Sequence, residues 1–171
     1  MATRFNISGE LTQELLAAGA NTRVSKISLT NTQKVSKCKV DLYIEKKLTG
    51  KFYLLKGVEL PIGTTLIYDD IKFSTATGEY GLYIKLTDGA TFTLTGSIDV
   101  TGTNVNVPGT NTLFLSELSV GDEVVITGET RTVATITSNT AATVTAAFGS
   151  DLANDTTPDS NQTAVVDVII N

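Results

Sequence analysis

Four sets of residues in this chain are of types that could do chemistry. Asp69 and Asp70 are adjacent carboxylates, Asp151, Asp155 and Asp159 recur at every fourth position, and Cys38 is the one thiol. Seven lysines, Lys34, Lys37, Lys39, Lys46, Lys47, Lys51 and Lys56, crowd a short stretch with Tyr43, Phe52 and Tyr53. Neighbouring carboxylates in an extended chain point to opposite faces, so Asp69 and Asp70 cannot flank a glycosidic bond and suit a turn. The Asp triplet could suggest calcium, but it lacks the spacing, the turn glycine and the closing bidentate Glu of an EF-hand loop. A flexible acidic linker is the better reading.

Cys38 falls in the alternation Cys38, Val40, Leu42, Ile44, which makes it a small core residue rather than a nucleophile. A lone cysteine forms no internal disulfide and has no second thiol to share a metal. The chain contains no histidine and no tryptophan. Without imidazole there is no general base near neutral pH, no Ser–His or Cys–His pair, and none of the commonest metal ligand. The glycines match neither a P-loop nor a dinucleotide fingerprint. The expectation is a protein that is not an enzyme, with no catalytic residue, no metal and no cofactor.

The lysine stretch admits two functional readings. It could hold phosphates while Phe52, Tyr53 and Tyr43 stack bases, or it could dock on an acidic protein surface. Nucleic acid is disfavoured, because the chain carries a formal net charge of −5 and arginine, the better phosphate fork, is scarce. Lysine on exposed edge strands also serves simply to block aggregation. A carbohydrate platform would have to come from Tyr43, Tyr53, Tyr80 or Tyr83.

The elements that must position these residues are strands. Threonine makes up roughly one residue in six of the 171, and with Val and Ile it supplies the β-branched bias of a pleated surface. Period-2 alternation predicts strands at 27–30, 38–44, 52–58, 65–68, 71–73 and 80–86, with Lys46 to Gly50 as a hairpin connection. Before them lies a polar N-terminal arm whose apolar patch is Leu11, Leu15 and Leu16. One helical turn and an extended arm pairing with a neighbour both remain open. A second β module shows around Gly121-Asp122 and Gly128-Glu129, and residues 151–162 read as a polar loop. The terminal segment 163–171 is strand-like and must pair with something, because buried backbone groups cannot stay unpaired.

These signals predict an all-β chain. Residues 1–90 plus 163–171 form a β-sandwich with an N-terminal arm, and 91–150 form a small β-meander or barrel module inserted before the last strand. Residues 1–90 carry 12 basic and 9 acidic side chains and 91–171 carry 1 and 9, so the halves stand near +3 and −8. No run of 18 or more apolar residues could span a bilayer, and the N-terminus lacks the apolar region that secretion requires. The expectation is a protein made in a cytoplasm and independent of membranes.

Val24 to Asn31, Val40-Asp-Leu-Tyr-Ile44, Tyr53 to Leu66 and Val165 to Ile170 resemble small virion structural proteins of tailed phages. The stretch Gly121-Asp-Glu-Val-Val-Ile-Thr-Gly128 resembles β modules of phage surface and tail-associated proteins. The resemblance implies a β-sandwich that coats or joins parts of a particle: a capsid decoration protein first, a head-to-tail or tail accessory protein second. A free carbohydrate-binding or adhesive module is the rival class. The implied partners are the major capsid protein or another virion protein, met by many copies or a homo-oligomer. The expected contacts are Leu11, Leu15 and Leu16 of the arm and Lys34, Lys37, Lys39, Lys46, Lys47 and Lys51 of a lysine-rich sandwich face, with the acidic module turned away.

Overall fold

The computed structural model describes residues 2–46, 50–87 and 91–171. The chain is all-β. In chain order its strands are β1 (Thr3–Ser8), β2 (Gln13–Leu16), β3 (Arg23–Val24), β4 (Ile27–Asn31), β5 (Cys38–Lys46), β6 (Gly50–Leu60), β7 (Thr65–Tyr68), β8 (Phe73–Ser74) and β9 (Gly81–Thr87). There follow β10 (Thr91–Thr93), β11 (Ser97–Val100), β12 (Asn106–Thr110), the short helix α1 (Phe114–Glu117), β13 (Glu123–Ile126), β14 (Glu129–Ser138), β15 (Ala141–Val144), β16 (Leu152–Asp155), β17 (Asp159–Asn161) and β18 (Val165–Ile170). Among the described residues no helix is long and apolar enough to cross a membrane. Two compact units result: residues 1–33, 37–88 and 164–171, and residues 34–36 with 89–163.

The first unit is a β-sandwich of two four-stranded antiparallel sheets, ordered β1-β18-β4-β7 and β2-β9-β5-β6. Alternation builds its core directly. Ile27 and Leu29 of β4 and Val166, Val168 and Ile170 of β18 meet Val40 and Leu42 of β5 and Leu82, Ile84 and Leu86 of β9, all essentially inaccessible to solvent. The terminal strand lies between β1 and β4, with Val168 opposite Phe5 on one side and Leu29 on the other. β4 ends where the buried Asn31 folds back. Its side-chain amide donates to Leu60 O and its Oδ1 accepts the Gln33 amide, the local turn that Asn favours.

The N-terminal arm departs from expectation. Its first strand pairs with β18 and its second with β9, so the arm is extended and built into the sandwich, each strand being the outermost of its sheet. Leu15 and Leu16 are buried in the sandwich core, and of the apolar patch only Leu11 is exposed. Burying two leucines of the arm is worth about 3–6 kcal/mol, and burying them within the chain carries none of the entropic cost of association. The predicted hairpin connection at Lys47 to Thr49 lies outside the described residues.

The second unit is one curled eight-stranded sheet, ordered β10-β17-β13-β14-β15-β12-β11-β16, around its own core of Ile98, Val100, Val107, Phe114, Leu118, Val124, Ile126, Val133 and Phe148. Gly96, at φ +84°, leads into β11, where an added Cβ would run into the backbone of Thr110 and Asn111. The segment 151–162 is not a loop, since it contains β16 and β17. Polar residues hold β17: buried Ser160 donates to Glu123 O, and buried Gln162 donates to Glu117 O and to Ser160 Oγ. A strand secured by side-chain hydrogen bonds has no apolar alternation by which to be read. The second unit therefore runs to Thr163 rather than ending at 150.

Candidate functional site: a tyrosine row on the outer sheet face

Alternation decides what the outer face of the β2-β9-β5-β6 sheet displays. In β5, Cys38, Val40 and Leu42 turn into the core, so Asp41, Tyr43 and Glu45 stand on the opposite face. Register then sets one row across all four strands. Tyr53 of β6 lies opposite Tyr43, Tyr43 opposite Tyr83 of β9, and Tyr83 opposite Glu14 of β2. In the next row Glu45 lies between Lys51 and Gly81.

The side chains pack as that register dictates. The rings of Tyr43 and Tyr83 stack at 5.8 Å and 15°, and Tyr53 tilts against Tyr43 at 5.4 Å. Lys51 Nζ sits 4.5 Å from the Tyr43 ring centre and donates to the Tyr43 hydroxyl at 3.2 Å, and that hydrogen bond raises the lysine above its ordinary value. Tyr83 donates its hydroxyl to Glu14 at 2.9 Å, a hydrogen bond that raises the phenol above its ordinary value. Gly81 allows this packing. A Cβ there would come within 3.0 Å of the Tyr83 ring and 3.2 Å of the Glu14 carboxylate. Beside the row opens a cavity of about 500 Å³ lined by Thr12, Ala18, Tyr43, Glu45, Lys51, Gly78, Glu79 and Tyr83.

The predicted lysine face assembles only in part, with Lys39 and Lys51 on the outer sheet face beside Tyr43 and Glu45. Period 2 places Lys39 and Lys46 on opposite faces of β5. Lys46 pairs with Glu79 at 3.1 Å, Lys37 with Glu59 at 2.8 Å, and Lys51 turns onto Tyr43. Lys34 falls in the second unit, where its ammonium donates to Leu115 O and Leu118 O. Lys47 lies outside the described residues. The charge contrast shrinks as well. The first unit carries 11 basic and 10 acidic side chains and the second 2 and 8, so the sandwich is near neutral and only the nested unit is strongly charged.

The other candidates separate. Base stacking loses its surface, since Lys51 and Lys56 lie over Tyr43 and Tyr53 and Phe52 pairs edge-on with Tyr80 at 5.9 Å. Three of the four tyrosines of the carbohydrate reading do come together, without Tyr80. The Asp triplet does not converge: Asp151 accepts from Gly102 N, Asp155 from Thr127 N and Thr157 N, and Asp159 from Thr93 Oγ1. Among the described residues no group of acidic or thiol side chains is arranged to hold a metal. Asp69 and Asp70 are exposed in the loop after β7. Thr12, Glu14 and Glu79 escaped the sequence reading because they come from the arm and a loop, whereas Glu45 was legible as sharing a face with Tyr43. No known protein family, curated protein or solved structure matches the chain.

Proposed function

We propose that this chain is a non-catalytic structural protein of a tailed-phage particle, with decoration of the shell as its first role. The observation that carries the reading is the side of the sandwich where β6 passes to β7. Each is the outermost strand of its sheet, the two are joined by residues 61–64, and together they expose Phe52, Tyr53, Ile62 and Ile67. An 11-residue strand paired on one side only, with apolar side chains exposed, is a template for strand addition to another chain. Repetition of such a contact over a shell makes individually weak contacts durable. The segments that carry the resemblance to virion proteins include this edge and the inner strands β4, β5 and β18.

Of the contacts the sequence suggested, strand addition by the arm or by sheet edges and docking by a lysine face, the proposed one is at a sheet edge. Particles made without the protein should assemble but rupture sooner under heat or osmotic shock, and added protein should restore them. Added Ile67→Lys protein should restore them less. Heads that fail to join tails would assign the protein to the connector instead, and particles unchanged in both respects would exclude a structural role.

A further inference from the structure

The cavity beside the tyrosine row shares only Lys51 with the edge strand β6 and none of the exposed apolar residues of the proposed edge contact. We propose that it is a binding site for a neutral saccharide of one or two rings. Its volume, about 500 Å³, lies within the range of small-ligand pockets. Its lining offers what a polyhydroxylated ring requires: an aromatic side chain for the C–H face, carboxylates to accept from hydroxyls, and an ammonium to donate.

The groups are in place for those roles. Lys51 uses one of its three N–H donors on Tyr43, and Glu79 uses one oxygen on Lys46. The Glu45 carboxylate makes no hydrogen bond to the side chain or backbone of a described residue. Tyr83 is held upright from both sides, by the stacked Tyr43 ring and by the hydrogen bond to Glu14, so its ring is ordered before a ligand arrives. The charge of the lining selects among sugars. Lys46 offsets Glu79, and the remaining lining charges, Glu45 and Lys51, balance, so the cavity carries no net positive charge to draw sialylated or uronic sugars and leaves neutral ones.

The test uses the full chain, titrated with maltose, cellobiose, lactose, N,N′-diacetylchitobiose and 3′-sialyllactose and followed by saturation-transfer NMR and calorimetry. At least one neutral disaccharide should bind and sialyllactose should not. Glu45→Gln and Tyr83→Phe, which keep side-chain shape, should each weaken binding about tenfold or more, while Lys72→Ala should leave it unchanged. Near-UV circular dichroism of the variants separates a lost contact from a lost fold. If no neutral sugar binds, if sialyllactose binds better, or if both folded variants bind as the wild type does, the proposal is overturned. Shell binding measured with the sugar present is read separately, so either proposal can fail without the other.

Discussion

At the scale of single residues, burial turns reactive groups into structural ones. Cys38 is 1% exposed on the core face of β5, and burial pushes its thiol up to about 11. At pH 8 the native protein should therefore leave a thiol reagent such as DTNB essentially untouched, with one equivalent consumed once denaturant is added. Rapid native labelling would show that β5 is not packed as described. Asp122, also 1% exposed, is spent in the same way. Its carboxylate accepts the amides of Ser119 and Thr163, tying the start of β13 to the approach of β18, and so works as a turn anchor rather than an acid.

At the scale of elements, the strands of the second unit depend on side chains that bridge to loops. Glu129, at the start of β14, accepts from Gly149 N and Ser150 Oγ and pairs with Arg131 at 2.9 Å. Arg131 in turn donates to Ala147 O and lies 5.3 Å from the Phe148 ring centre. The Gly149 hydrogen bond first, then Ser150 and the Arg131 charge, lower the Glu129 carboxyl below its ordinary value against a smaller desolvation effect. A carboxyl lowered in the folded state contributes stability above its unfolded value, near 4.3, and loses that contribution as pH falls through the folded value. The stability difference between wild type and Glu129→Gln, followed by denaturant titration, should therefore be present at pH 7 and shrink as pH is taken from about 5 toward 3. A difference that stays constant with pH would remove the carboxylate from the clamp.

At the scale of the whole molecule, each unit has its own core, and the second is continuous in sequence from 89 to 163 apart from residues 34–36. Unfolding the nested unit converts it into a loop within the sandwich chain, and loop entropy grows only logarithmically with length, so the sandwich has little reason to melt with it. Calorimetry should therefore show two transitions. Leu42→Ala should lower the sandwich transition, and Ile126→Ala that of the nested unit, each by about 2–5 kcal/mol of stability. A single transition moved by both substitutions would mean that the units unfold as one. The protein would then present its open edge and its cavity on a body whose stability is set by the strands beneath them.

Local alternation was enough to determine the all-β class, the cores of β4, β5, β7, β9, β13 and β14, and the need of residues 165–170 for a strand partner. Burial of every second side chain is a local demand, and it is written in the order of Val, Ile and Leu. The arm and residues 151–162 were not legible in that way, because β1 and β2 pair with strands far along the chain and β17 is held by Ser160 and Gln162. The candidate site was half legible. Tyr43 and Glu45 share a face by period alone, but only the register of β6, β9 and β2 sets Tyr53, Tyr83 and Glu14 in one row. Register is chosen by the packing of the opposite, buried face, so what stands on the outer face follows from tertiary structure and not from the order of residues in any one strand.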